Sequence, residues 1–343
     1  MTMLPTGNDV PLISRRGALG ALGALGAAAA MPGVARAQDK APGAMPPAAP
    51  SLPNGSGFYR FPVGDIEIAV IGDGNGSMAP HPLFGADRTK EEVEATLKGD
   101  FLPPEQIAMT FNVPLLRTPS GVVLIDTGNG HKSRPNSGRL VEHMANLGVK
   151  PADVVAVILT HMHGDHFGGL TDAQGNLTFP NAKYYLHRVE YVFWNGAAPD
   201  LSGSLLPAEW KPGFIASAAA ALKAIESKLE FTDDGTKIVP GVTVEVCPGH
   251  TPGHQMVHIA SGSSEVLMIA DCVHHHSLSL RHPSWHAAFD YDAKKGAATR
   301  AKMLDRLASD RTLALSYHMP FPGLGHVRKD GEGYEWVPTA WKW

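Results

Sequence analysis

Two kinds of polarity pattern run along the chain. Val154–Thr160 is an unbroken apolar stretch rich in β-branched residues, which predicts a buried strand. Val122–Ile125 and Val266–Ala270 have the same character, Val242–Cys247 alternates with period two, and Thr312–Ser316 is a further short run. Asp65–Ile71, Ala108–Thr118 and Lys183–Leu186 complete the predicted strands. The helical period appears in Arg139–Leu147, where Leu140, Met144 and Leu147 share a face, within Ala208–Leu229, and in Ala293–Ser309, which is charged on one side. Strands interleaved with helices define an α/β protein. No internal repeat is visible. Ser77–Gln106 is long for a plain connection and carries a helical piece near Glu91–Lys98; such a segment is either a lid or binding loop, or a surface excursion without a role.

Candidate chemistry collects where these strands end. His161-Met162-His163-Gly164-Asp165-His166 follows the Val154–Thr160 run. Side chains two apart share a face in extended backbone, so His161 and His163 can point the same way. Gly164 then lets Asp165 and His166 approach from another side. Imidazole and carboxylate suit zinc and similar ions, and four ligand-type residues in six positions disfavour a merely solvated loop. His250 follows Val242–Cys247, Asp271 follows Val266–Ala270, His318 lies just beyond Thr312–Ser316, and Asp126 closes Val122–Ile125. Ligands often sit at the carboxyl ends of strands in α/β folds.

This ordered series resembles the metallo-β-lactamase superfamily over nearly all of the chain from about Phe58 onward. The resemblance implies a four-layer αβ/βα sandwich with the metals at one edge between the sheets. It implies one metal site of His161, His163 and His250, a second of Asp165, His166 and His318, and Asp271 as a carboxylate bridging both. Asp126 resembles the family's buried aspartate, a support behind a ligand. The segment from His318-Met319-Pro320-Phe321-Pro322-Gly323 to Tyr334-Glu335-Trp336, with Phe58-Tyr59-Arg60 and Phe193-Trp194, is similar to the methyl parathion hydrolase group. Relatives fit less well. Zinc β-lactamases lack a bridging aspartate where Asp271 stands, and flavodiiron proteins carry glutamate where His163 stands. Glyoxalase II enzymes end in a helical domain, and persulfide dioxygenases dispense with part of the second site.

The resemblance implies two divalent ions, zinc by default, with manganese, cobalt or iron as alternatives. A divalent ion lowers the pKa of water from 15.7 to about 7, and a bridging hydroxide would attack a carbonyl or phosphoryl centre. Asp271 holds both ions in this reading, and Asp165 could pass a proton to the leaving group. The expected substrates are small apolar esters, phosphotriesters such as methyl parathion, or lactones. Acyl-homoserine lactones are the nearest rival reading, with β-lactam hydrolysis and iron-dependent oxygenation as competitors. Phe84, Trp194, Leu278, Trp285 and Phe321 are candidates for an apolar pocket. His274-His275-His276 is expected to be a solvated or hydrogen-bonded loop, with an extra ligand or a gate to the pocket as the alternative, and His254 a structural residue. Cys247 and Cys272 are expected as buried free thiols rather than a disulfide or ligands.

The first 57 residues stand apart. Ser14-Arg15-Arg16, a charge-free run from Gly17 to Ala35, and Ala35-Arg36-Ala37 predict a twin-arginine-type signal over 1–37, with a membrane anchor as the alternative. Residues 38–57 are Pro, Ala, Gly and Ser with few large apolar residues, expected as a flexible linker. The hydrolase domain is then 58–343, and the expected location is periplasmic or secreted, without a stable anchor after cleavage. A net charge of −4 and no basic run argue against nucleic acid as a partner. The expected partner is a small-molecule substrate, with a homodimer as a prior.

Overall fold

The computed structural model describes residues 57–342; the expected signal and all but the last residue of the expected linker lie outside them. Two seven-stranded sheets carry the domain. The first runs, in order, β1 (Phe58–Val63), β2 (Ile66–Met78), β3 (Ile107–Thr118), β4 (Gly121–Ile125), β5 (Val154–Ile158), β6 (Lys183–His187) and β7 (Leu229–Thr232). Its β1–β4 portion is antiparallel and β4–β7 are parallel. The second contains β8 (Lys237–Val239), β9 (Val242–Val246), β10 (Gln255–Ser261), β11 (Ser264–Met268), β12 (Ala314–Leu315), β13 (Leu324–Asp330) and β14 (Gly333–Pro338), with only β11–β12 parallel. Ile68, Val113, Leu124 and Val157 of the first sheet share one core with Val244, Val257, Val266 and Leu315 of the second. The helices α1 (Lys90–Gly99), α2 (Leu140–Asn146), α3 (Gly164–Phe167), α4 (Arg188–Trp194), α5 (Lys211–Ile225), α6 (Leu278–Arg281) and α7 (Ala293–Asp310) complete an α/β sandwich of the expected class.

Local chemistry explains several of these elements. The parallel strand β5 is apolar throughout because sheet and helices cover it, although Val155 remains 41% exposed. Thr89 and Glu92 form a reciprocal capping box that starts α1 inside the segment read as a long connection. Asp292 accepts the Lys295 N–H and starts α7. Leu304 and Leu307 of α7 join Leu267, Ile269 and Met319 in a second core cluster.

Three differences from the sequence reading have physical causes. β2 continues to Met78 through an irregularity between Gly72 and Asn75, where the polar Gly-Asp-Gly-Asn run ends the apolar signal. The aromatic, proline-rich ending is an antiparallel hairpin, with Asp330 opposite Gly333. The cysteines expected as free thiols are paired: Cys247 and Cys272 follow β9 and β11, and both side chains turn into the second core cluster, where their sulfurs meet.

Candidate metal centre

Four strand ends deliver the donors. β5 leads into His161 and His163, and α3 carries Asp165 and His166. His250 lies between β9 and β10, Asp271 in the short turn after β11, and His318 after β12. Gly249 makes the His250 turn possible: its φ is +139°, and a Cβ there would stand 2.6 Å from the Gly296 backbone nitrogen of α7.

The side chains converge as two overlapping groups. His250 Nε2 lies 2.8 Å from His163 Nδ1 and 3.2 Å from His161 Nε2. Asp271 Oδ2 is 3.4 Å from His250 Nε2 and 3.8 Å from His161 Nε2. On the other side, Asp165 Oδ2 stands 3.5 Å from both His166 Nε2 and His318 Nε2. Asp271 reaches this group too, with Oδ1 3.2 Å from His166 Nε2 and Oδ2 3.2 Å from His318 Nε2. Its two oxygens thus face both sets.

The donor set fits divalent metal ions. His161 Nε2, His163 Nδ1 and His250 Nε2 crowd together beside Asp271 Oδ2, an arrangement that one cation can satisfy through their lone pairs. His166 Nε2 and Asp271 Oδ1 are buried without a hydrogen-bond partner, which costs free energy unless something else binds them. Burial holds His161, His163 and His250 well below the usual histidine range, so they are neutral, the ligating form. Burial opposes charge on His166 and His318 as well, but the carboxylates of Asp271 and Asp165 outweigh it and raise both. Burial likewise opposes charge on Asp271, yet His166 and His318 hold its carboxyl well below the ordinary value.

Behind the donors, hydrogen bonds fix each ring. His166 Nδ1 lies 2.8 Å from Asp126 Oδ2, and Asp126 also accepts the Thr160 N–H and hydroxyl at 2.8 Å each. His250 Nδ1 lies 2.9 Å from Asp290 Oδ1, and Arg300 donates to the other Asp290 oxygen at 3.2 Å. His318 Nδ1 is 3.0 Å from the Thr110 carbonyl oxygen. In each case the anchored nitrogen leaves the other free to face the site. His254 accepts the Asp271 N–H and lies within hydrogen-bond distance of the Cys247 carbonyl oxygen, a supporting position. Asp290, Arg300 and Glu190 escaped the sequence reading. None lies at the end of an apolar run, and only tertiary packing brings them to the donors.

A cavity of about 400 Å³ opens onto the centre. Met78, Phe84, Met109, Phe111, Phe214 and Phe289 wall it, with His163, Asp165, Asp271, His274 and His318 at its base. Of the five expected pocket residues, Phe84 alone lines it. Trp194 is buried, donates its indole N–H to Glu190 and sets its ring edge-on to His163. Leu278 and Trp285 border a small cleft beyond Phe84, and Trp285 stacks on His282 at 3.9 Å. Phe321 packs on Trp341 at the chain's end. Aromatic character alone could not separate wall from core. The histidine run expected to be solvated or hydrogen-bonded is buried rather than solvated at His274 and His275: His275 Nδ1 accepts the Ser277 and Leu278 N–H groups, and His274 faces the cavity.

A dimetal-type cluster of histidine and aspartate beneath an apolar cavity defines a metal-dependent hydrolase. The family model of the metallo-beta-lactamase superfamily matches residues 112–335, and the chain belongs to that superfamily. An N-acyl homoserine lactonase of Bacillus sp is 26% identical over 194 residues, 51% of this chain and 68% of its own. Another, from Bacillus cereus, is 28% identical over 45% of this chain and 60% of its own, so the chain spans 60–68% of these two relatives. Among solved structures, AidC, a dizinc quorum-quenching lactonase, is 31% identical with a TM-score of 0.80, covering 83% of this chain and 98% of its own. The hydrolase AbOPH is 27% identical with a TM-score of 0.76, covering 84% and 100%. These relatives carry lactonase and hydrolase names, and none of them is described as a methyl parathion hydrolase.

Proposed function

We propose that this chain hydrolyses N-acyl homoserine lactones or closely related acylated lactones at a pair of zinc ions. The observation that carries the reading is the apolar cavity ending on two donor groups, one of which contains Asp271 while the other stands within 3.2 Å of it. Likeness to a dizinc lactonase supports the substrate class and the metal. His161, His163 and His250 would hold one ion, Asp165, His166 and His318 the other, and Asp271 both. Bound there, the ions supply an activated water and polarise the scissile carbonyl.

The protein's own contributions follow from its geometry. Phe84, Phe111, Phe214 and Phe289 take the acyl chain out of water and exclude bulk solvent from the reacting end. His274 is 3% exposed, and neither ring nitrogen has a hydrogen-bond partner. Its Nε2, 3.4 Å from Asp271 Oδ2, can donate to an oxygen of the bound ester. Asp165 is the most exposed of the donors and stands at the cavity, where its carboxylate can take the proton released by the attacking water and pass it to the departing alkoxide. Phosphotriesters remain the second reading, which rests only on the resemblance of the His318–Gly323 and Tyr334–Trp336 segments to the methyl parathion hydrolase group. A panel of acyl-homoserine lactones, an aryl ester and paraoxon tests the order. Lactone turnover should exceed the others by at least tenfold in kcat/KM. A preference for paraoxon would replace the lactone reading with the phosphotriester one. Export through a twin-arginine-type signal to the periplasm belongs to the same proposal, and fractionation of the expressing cell tests it.

A further inference from the structure

One fully buried carboxylate outside the donor set ties two donor loops together. Glu190 lies on α4, has no exposed surface, and belongs to neither metal group. Its Oε1 accepts the backbone N–H of Met162 at 2.9 Å, the residue between His161 and His163. Its Oε2 accepts the backbone N–H of Gly253 at 2.8 Å, three residues beyond His250. The Trp194 indole N–H, one helical turn on, donates to Oε1 at 2.7 Å and holds the carboxylate in place. The same indole ring meets His163 edge-on, with ring centroids 6.2 Å apart. Met162 follows a strand of the first sheet and Gly253 precedes a strand of the second. A single side chain therefore spans the junction at which the three imidazoles of the first group are brought together.

We infer that Glu190 is a positioning residue that sets the spacing of His161 and His163 against His250, and so the affinity of the first metal site. The inference deepens the two-metal reading and rests on it. The second group, Asp165, His166 and His318, is anchored through Asp126 and the Thr110 carbonyl, neither of which Glu190 touches. Loss of Glu190 should therefore act on one site and spare the other. Glutamine at position 190 has a single acceptor oxygen, so its amide N–H₂ must confront the Met162 or the Gly253 N–H, and one loop loses its tie. Aspartate keeps the charge but is one methylene short and cannot reach both loops.

The test is zinc titration of metal-free wild type, E190Q and E190D against a chromophoric chelator, with the melting temperature of each metal-free protein recorded alongside. The wild type should show two binding constants. In both variants one constant should weaken 10–100-fold and the other stay within threefold, with the metal-free melting temperatures close to that of the wild type. Two unchanged constants would overturn the inference while leaving the two-metal reading intact. Equal weakening of both, together with a lower metal-free melting temperature, would show a merely structural role and overturn it as well. If E190Q does not fold, E190D decides by the same criteria. A wild type that binds no zinc would remove the two-metal reading and this inference together.

Discussion

Lengthening the acyl chain of the substrate is the perturbation that reads the cavity most closely. Six apolar side chains, four of them phenylalanine, wall a space of about 400 Å³ above the donors. Each methylene moved from water into such a wall contributes about 0.8 kcal/mol. Two methylenes then contribute about 1.6 kcal/mol, which is about 14-fold in kcat/KM at 1.4 kcal/mol per decade. Butanoyl-, hexanoyl- and octanoyl-homoserine lactone should therefore rise in steps of about that size, until the cavity is full and the series levels. The gain should appear largely in KM, because the tail is held alike in ground and transition states. Phe214 is only partly buried and touches His163 edge-on at 5.5 Å, so Phe214→Ala should flatten the series with little loss of fold stability. The assay is initial-rate hydrolysis followed by proton release at constant pH. A series that is flat from butanoyl to octanoyl, or that falls, would refute the assignment of this cavity to the acyl chain.

Asp271→Ala should abolish occupancy of both metal sites along with hydrolysis, since its two oxygens face both donor groups; a fully active variant would refute its bridging role. Asp126→Asn presents an amide where the Thr160 N–H, the Thr160 hydroxyl and His166 all meet a carboxylate, and should cost 10–100-fold in metal affinity, measured by chelator competition. Arg300→Met leaves Asp290 buried without its cation, and should destabilise the fold by about 3–5 kcal/mol in urea unfolding. Burial, helped by His276, pushes His275 down to about 3, so it stays neutral in the fold but takes up a proton below 6.5 once unfolded. Its contribution is complete above that pH and is lost as pH falls. The stability of wild type relative to His275→Asn should drop by about 2.3 kcal/mol in all between pH 6.5 and 4.5, the slope approaching about 1.4 kcal/mol per unit at the acid end. A difference constant over that range would exclude this linkage.

What could be read from the chain follows a physical divide. The strands β4, β5 and β11 are covered by neighbouring strands and helices, so their apolar runs stand out, and the donors after them are adjacent in sequence to a visible landmark. β1, β7, β8, β10, β13 and β14 are short or mixed in polarity, and their pairing partners supply what their own sequences do not signal. The cavity wall was largely hidden for a related reason. Met78, Met109, Phe111 and Phe214 come from β2, β3 and α5, and whether such a residue faces core or cavity depends on which sheet face it meets. Trp194 shows the converse, a residue picked out as a pocket aromatic that the fold uses to anchor Glu190. Glu190 and Asp290 act on donor loops far away in sequence, Arg300 acts only through Asp290, and nothing in their local sequence marks them.

The central claim is that histidines and aspartates from four strand ends hold a pair of metal ions that the reaction requires. Elemental analysis of the purified chain, paired with lactone hydrolysis before and after chelation, tests it most directly. About two equivalents of divalent metal per chain should be found, lost together with activity on chelation and both restored by zinc. Turnover that persists in the metal-free protein, or a chain that takes up no divalent ion, would contradict it.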